Sequence, residues 1–486
     1  MKTDCIFEQG SPGRLGVDLP VCHLAGSEFE RALPASLRRT ELEDFPEVSE
    51  PEVIRHYTRL SQKNFCIDGQ MYPLGSCTMK YNPRVHEEIA RSHGFANLHP
   101  ETPAWMAQGA LRVLWELEQM LCEICGMDAF TLLPAAGAHG ELTGMKIIRA
   151  AIRSRGENRN TVIIPVSAHG TNPASAALCG FNTIEVPAGP EGIMEPGTLL
   201  KIVDENTAAL MLTNPNTLGL FERNIGEMAE ILHRKGAYLY CDGANLNALL
   251  GAARPGDMGV DVLQTNMHKT FTTPHGGGGP GAGPVGVTKE LARFLPVPRV
   301  IKEDAHFSFL KSSPGSIGRM HSFFGNFLVL LRAYVYIRTM GAQGLRDVST
   351  MAVLNANYLR VLLAEDYHAP FPGPCMHECV FNDKLQHEYG VSTGDIGKRL
   401  IDKGFHPPTV YFPLCVEHAL LIEPTETETK ETLDEFAAAM KEIAKEAKEN
   451  PELLHEAPHD TPIRRFNATD ADRHPNLRWM KLKFNK

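Results

Sequence analysis

No stretch of this sequence stays apolar for long enough to cross a bilayer. The greasiest segment, Phe323–Ile337, is broken by Asn326 and Arg332. It falls short of the roughly 20 residues that a spanning helix needs. The opening run Met1–Gly10, MKTDCIFEQG, lacks the apolar core of a secretory signal. An excess of positive charge is lacking as well. Lys and Arg number 48 against 58 Asp and Glu, a net charge of −10, whereas a nucleic-acid binder normally carries a basic face. Eleven cysteines are scattered without a framework spacing, which fits free thiols in a reducing cytoplasm. The phosphate loop G-x-x-x-x-G-K-[ST] does not occur, so ATP hydrolysis lacks its usual signature. Repeats and low-complexity tracts are absent too. The expectation is a cytoplasmic protein that binds neither membrane nor nucleic acid.

What is present is a chain of 486 residues, 43% apolar and 22% charged, ordinary values for a soluble globular protein. That length suits two or three compact units. Residues 1–60 read as an irregular N-terminal arm, with several prolines and few periodic apolar runs. Leu111–Ile124 keeps a helical apolar spacing through Leu111, Leu114, Leu117, Leu121 and Ile124. The middle of the chain then alternates. Thr161–Val166, Thr183–Val186, Ala208–Leu212, Ala237–Cys241, Asp261–Leu263 and Pro284–Val287 read as strands, with helical stretches such as Arg223–Lys235 between them. Short apolar strands alternating with helices predict a largely parallel sheet covered on both faces. Such sheets take ligands beyond the carboxyl ends of their strands. The large domain is expected over 61–340 and a smaller α+β C-terminal domain over 341–463. In the latter, Leu433, Phe436, Met440 and Ile443 mark the buried face of a helix within Thr427–Asn450. A basic tail, 464–486, reads as solvated or packed against a subunit.

Two residues carry the strongest chemical signal. Asp242 follows the apolar run Tyr238–Cys241, and Lys269 follows the next strand-like run, about one strand–helix–strand unit later. A lysine amine can form an imine with an aldehyde cofactor. A carboxylate can keep a pyridine nitrogen protonated, so that the ring accepts electrons. Together they suit pyridoxal phosphate, held as a Schiff base on Lys269. Leu132–Leu142, LLPAAGAHGEL, places Ala136, Gly137 and Ala138 just before a helix, as a candidate phosphate cradle. A tight turn into a helix looks the same. His169, in SAHGTNPAS after a strand, can stack on a flat ring, shuttle protons, or serve the fold alone. The run Gly276–Gly283, GGGGPGAG, shapes either the cofactor pocket or a subunit contact. Cys122 and Cys125 form a C-x-x-C on a helix without a second matching pair, so they read as buried cysteines and no metal site is expected.

Six stretches together resemble the P-protein of the glycine cleavage system, the pyridoxal-phosphate subunit of glycine decarboxylase. They are YPLGSCTMKYNP (Tyr72–Pro83), LLPAAGAHGE (Leu132–Glu141), SAHGTNPASA (Ser167–Ala176), LTNPNTLGLFE (Leu212–Glu222), YCDGAN (Tyr240–Asn245) and NMHKTFTTPHGGGGPGAGPVGV (Asn266–Val287). The resemblance implies an α/β fold of the aspartate-aminotransferase-like class, fold type I. It implies that Lys269 is the Schiff-base lysine, Asp242 the pyridinium partner, and His169 the residue stacked on the ring. His268 and the backbone of Ala136, Gly137 and Ala138 would hold the phosphate, Asn214 would reach the ring hydroxyl, and Ser76 and Thr78 would face the substrate. The length of one half of the one-chain members, together with the lysine, resembles subunit 2 of the split type. Such a subunit decarboxylates glycine and passes the aminomethyl group to the lipoyl disulfide of a carrier, the H-protein, which makes it an oxidoreductase. A homologous subunit 1 lacking the lysine would complete a heterotetramer of two plus two. Two other readings stay open. One is another fold type I enzyme, such as an amino-acid decarboxylase or a cysteine desulfurase. The other is a non-catalytic assembly subunit, against which the lysine argues.

Overall fold

The computed structural model describes residues 4–18, 20–21, 23, 31–38, 45–276 and 281–479. Contacts divide the chain into two units, Met1–Cys66 with Glu456–Lys486, and Ile67–His455. In the first, Glu50–Ser61 is a helix rather than part of an irregular arm. Its start is fixed by the Glu52 carboxylate, which accepts from the Ser49 backbone N–H at 2.8 Å. Much of the basic tail is described, and it holds one short helix, Ala468–Arg473. Residues 480–486 and most of the central glycines of Gly276–Gly283 lie outside the described residues.

The second unit is built on a seven-stranded sheet. Its strands are β1 (Ala129–Thr131), β2 (Thr161–Pro165), β3 (Asn182–Val186), β4 (Thr207–Thr213), β5 (Tyr238–Gly243), β6 (Val262–Thr265) and β7 (Val285–Val287). Their order across the sheet is β1-β7-β6-β5-β4-β2-β3. Strands β3, β2, β4, β5 and β6 are parallel, and β7 runs antiparallel between β6 and β1. The six strands expected from the sequence all occur, within two residues at each end. β1 was not legible, because three residues are too few to show alternation.

The central strands are buried on both faces, which is why their sequences read as unbroken apolar runs. Leu210, Leu212, Leu239, Cys241 and Leu263 face one core, with Leu117 and Leu121 of the helix Gln108–Cys125 and Met228 and Leu232 of the helix Ile225–Arg234. Ala209, Met211, Tyr238, Tyr240 and Val262 face the other, with Ile147, Ile148 and Ile152 of the helix Gly137–Ser154. That last helix lies close on the sheet because a Cβ at Gly144 would come within 2.6 Å of the Tyr240 ring.

Beyond β7 comes an antiparallel hairpin, β8 (Arg299–Glu303) and β9 (His306–Leu310). The segment Phe327–Leu363 follows as two helical pieces joined at Gly341, whose φ of 63° is left-handed. A three-stranded antiparallel sheet then forms from β10 (Cys379–Asn382), β11 (Thr409–Val410) and β12 (Ala419–Ile422), in the order β10-β12-β11. The helix Lys430–Glu449 packs its Leu433, Phe436, Met440 and Ile443 into the core around this sheet, as its spacing implies. Among the described residues, no helix is long and apolar enough to cross a membrane.

Candidate active site

The strand order reverses between β2 and β4, and sheets of this kind take ligands beyond the carboxyl ends of the strands at such a reversal. His169 lies just past β2, and its backbone N–H donates to Thr213 Oγ1 at the end of β4 (2.9 Å). Asn214 follows β4 directly. Its Oδ1 accepts from the Glu222 backbone N–H at 3.0 Å, while its buried Nδ2 has no partner among the described residues. Asp242 is the next-to-last residue of β5, 1% exposed, and stands opposite Thr213 of β4 and Gln264 of β6. Its carboxylate accepts from the Ala244 backbone N–H (2.9 Å) and from Asn172 Nδ2 (3.1 Å). Burial pushes the His169 imidazole below its usual range, Asp242 opposes that shift, and Lys269 adds to it.

Lys269 sits in the loop after β6 and is 7% exposed. Its Nζ donates to the Ser76 carbonyl at 2.7 Å. Ser76 and Thr78 flank a turn with left-handed φ of 62° and 40°; the buried Oγ of Ser76 has no partner among the described residues, and the Thr78 hydroxyl lies beside the Glu423 carboxyl. The turn approaches β12 through Gly75, where a Cβ would come within 2.6 Å of the Leu421 carbonyl. Between the two residues, Cys77 has its thiol pushed up by burial, with the Lys269 charge pulling the other way.

The helix Gly137–Ser154 begins without a side-chain cap at Ala136, so its first N–H groups are open to an anion. The segment 281–283 closes on this start. The Gly283 backbone N–H donates to the Pro134 carbonyl at 2.9 Å, and Asn326 Nδ2 bridges the carbonyls of Ala135 (3.2 Å) and Gly281 (2.5 Å). His268 abuts the same segment, for Nδ1 accepts from the Ala282 backbone N–H at 3.4 Å. Its imidazole is pushed down to about 3 by burial, with His275 and Lys269 adding to the shift. His268 is therefore neutral and can donate a hydrogen bond to an anion without a charge of its own.

The structure thus places Asp242, His169 and Asn214 at three neighbouring strand ends. Lys269 stands with Ser76, and His268 near the Ala136–Ala138 start. Several residues of the same region were not read from the sequence. Glu141 accepts from Thr171 Oγ1 (2.6 Å), Asn172 Nδ2 (3.0 Å) and Ser175 Oγ (3.1 Å), and so shares Asn172 with Asp242. Its carboxyl is pushed up to about 7, by burial first and then by the Asp242 charge. Glu378 accepts from the Ser76 backbone N–H (2.6 Å), and Glu423 from that of Thr78 (2.9 Å). The only sequence signal for these two is a carboxylate bordering each of the apolar runs Cys379–Phe381 and Ala419–Ile422. Lys80, fully buried, pairs with Glu426 at 2.7 Å and donates to Asn247 Oδ1 at 2.8 Å.

The donor set suits pyridoxal phosphate. A buried amine, a buried carboxylate one strand away, an open helix start and an unpartnered Asn214 amide match the aldehyde, ring nitrogen, phosphate and ring hydroxyl of that cofactor. The sheet order and these donors define a fold type I pyridoxal-phosphate enzyme, and solved structures share the fold. A crystal structure of glycine decarboxylase (P-protein) in inhibitor-bound form superposes with a TM-score of 0.71 at 22% identity, covering 86% of this chain and 95% of that one. An aspartate aminotransferase from Thermus thermophilus gives 0.57 at 13%, covering 77% and 99%. The family model of the glycine cleavage system P-protein matches residues 25–305, and that of the glycine dehydrogenase C-terminal domain matches 348–461. The chain is 56% identical to a probable glycine dehydrogenase (decarboxylating) subunit 2 of Caldanaerobacter subterraneus, and 55% identical to one of Listeria monocytogenes, each over 98% of both chains. This chain belongs to the glycine cleavage system P-protein family.

Proposed function

We propose that this chain is the pyridoxal-phosphate-bearing subunit of a glycine decarboxylase. It releases CO2 from glycine and passes the aminomethyl group to the lipoyl disulfide of the H-protein. One sulfur takes the aminomethyl carbon and the other leaves as a thiol, so the disulfide is reduced and the enzyme is an oxidoreductase. The observation that carries this reading is Asp242 at the carboxyl end of β5 and Lys269 in the loop that follows the adjacent strand β6. The names borne by relatives at 55–56% identity over nearly the whole chain support the choice of glycine over the substrates of other fold type I enzymes.

When bound, the cofactor supplies a protonated ring that takes up the electron pair left by the departing CO2. The residues of this chain do the rest. Lys269 holds the aldehyde carbon, and Ser76 orients its Nζ. Asp242 keeps the ring nitrogen protonated, while Ala244 and Asn172 hold the carboxylate in place. His169 would cover the ring face, and Asn214 would donate to the ring hydroxyl. The phosphate is held by His268 and the backbone N–H groups at Ala136, Gly137 and Ala138. Ser76, whose hydroxyl has no partner among the described residues, and Thr78 would face the substrate. The domain division at about residue 340 belongs to the same reading. So do a cytoplasmic site of action and a heterotetramer with two copies of a homologous subunit.

Exchange of labelled CO2 into glycine tests the function. With pyridoxal phosphate, partner subunit and lipoylated carrier, label should enter glycine and the carrier should accelerate it. No exchange, together with decarboxylation of a different amino acid, would assign the chain to another fold type I activity.

A further inference from the structure

Next to Lys269 lies a group of side chains that the reaction as described does not use. Cys379 of β10 stands opposite Ile422 of β12, and continuing that register by one residue brings Glu378 opposite Glu423. Both carboxylates are fully buried at 0% exposure. Each spends one oxygen, Oε2, on a backbone N–H of the left-handed turn, Ser76 for Glu378 and Thr78 for Glu423. Each leaves its other oxygen, Oε1, without a hydrogen-bond partner among the described residues. Both free oxygens face Nε2 of His377, at 3.8 and 3.9 Å, and neither nitrogen of this fully buried imidazole has a hydrogen-bond partner among the described residues.

Two like charges directly opposite on paired strands repel, and burial makes the repulsion severe. Something positive must lie between them. Lys269 bears on both carboxyls, but its single positive charge balances only one of them. We propose that Glu378 and Glu423 share one proton and act as positioning residues for Lys269. They lock the Ser76–Thr78 turn by its backbone N–H groups, and they keep one net negative charge facing the lysine. The turn adopts a backbone that non-glycine residues disfavour, so it needs such an external hold. The Ser76 carbonyl then has a fixed direction in which to accept from Nζ. The other titratable groups that bear on the pair are His377, Cys77, Cys375 and Glu426. Burial holds His377 neutral, pushed down to about 3, and it pushes the Cys77 thiol up. Neither supplies the missing positive charge. For the carboxyls themselves, burial first and then mutual repulsion raises Glu378 well above its usual range. Burial takes Glu423 up to about 7.

The inference rests on the reading of Lys269 as the cofactor lysine, so its first test is made without cofactor. Infrared difference spectra of the cofactor-free protein at neutral pH should show the deuterium-sensitive C=O stretch of one protonated carboxyl in the wild type. That band should vanish in Glu378→Gln and equally in Glu423→Gln, because the remaining carboxyl then has the Lys269 charge to itself and no rival repelling it, which offsets its burial. Loss in only one variant, or in neither, overturns the shared proton. One equivalent of divalent metal in the purified wild type, found by elemental analysis, overturns it too. The second test uses the protein loaded with pyridoxal phosphate. The double variant Glu378→Gln, Glu423→Gln removes the negative charge while its amides still accept from the turn. The pH midpoint of its visible absorption should fall by about one unit or more. Each single variant, keeping one carboxylate, should stay within about half a unit of wild type. An unshifted double variant overturns the role toward Lys269. If the double variant does not fold, the single-variant infrared spectra still decide the shared proton. Visible absorption absent from the wild type would refute the cofactor reading itself and leave the infrared result standing.

Discussion

Lys269 and Asp242 fail in different ways when replaced. Lys269→Ala should abolish the visible absorption that borohydride reduction removes, while pyridoxal phosphate is still retained through its phosphate. Absorption surviving in that variant would transfer the role to another amine. Asp242→Asn should keep the absorption and lower kcat by on the order of 100-fold, with KM for glycine changing far less, since the carboxylate acts on charge that develops during reaction. Steady-state kinetics measure the split. Glu141 gives a pH test. Its folded-state pKa, about 7, lies above the ordinary 4.5, so folding tightens its hold on a proton. The stability this contributes is full below 4.5 and is lost as pH rises through 7. Glu141→Gln should flatten that slope in the cofactor-free protein, removing a difference on the order of 3 kcal/mol between the two ends. Urea unfolding at both pH values measures it. Lys269 and Asp242 were legible because each stands in a local run whose neighbours announce a strand end. Glu141, Glu378 and Glu423 were not, because what makes them notable is a partner 30 to 345 residues away.

Among the elements, the parallel strands were the most legible part of the fold. Burial on both faces writes itself into consecutive apolar residues, as in Thr207–Thr213, where all seven positions are buried. The hairpin of β8 and β9 carries no such signature, since only Phe307 of its ten residues is buried. The break at Gly341 was hidden by apolar spacing that runs on through both helical pieces. Glycine matters differently in the helix Gly137–Ser154. Gly144→Ala would improve helix propensity by about 1 kcal/mol. Its new Cβ, however, would lie 2.6 Å from the Tyr240 ring, which is fully buried and cannot yield. Overpacking of that kind costs about 1–3 kcal/mol, so a net loss of about 1 kcal/mol is expected. A lowered midpoint in chemical denaturation would show it, and a raised one would mean the helix can lift off the sheet.

At the level of the whole molecule, the proposed assembly predicts a chain that works poorly alone. Mixed with a homologous subunit that lacks the equivalent of His268–Lys269, it should form a species of about four chains and gain carrier-dependent exchange. Size-exclusion chromatography with light scattering, run on the chain alone and mixed, reads the first. The exchange assay reads the second. Full carrier-dependent activity without any partner would overturn the two-subunit reading and leave the cofactor site intact. The sequence carried the large sheet and the helix Lys430–Glu449, whose periodicity is local. The meeting of Lys269, Glu378 and Glu423 at the Ser76–Thr78 turn has no local pattern to read.

The turn that supports Lys269 also sets a schedule for making this protein. Ser76 waits 302 residues for Glu378, Thr78 waits 345 for Glu423, and Lys80 waits 346 for Glu426. On a ribosome adding roughly 5–20 residues per second, the lysine emerges well before the carboxylates that steady its surroundings. For that interval Lys80 lacks Glu426, and the turn lacks the two carboxylates that accept from its backbone N–H groups. Contacts so far apart in sequence are slow to close. The last strand of the large sheet ends at Val287, so the strand ends of the site are in the chain before Glu378, Glu423 and Glu426, the groups that hold its turn.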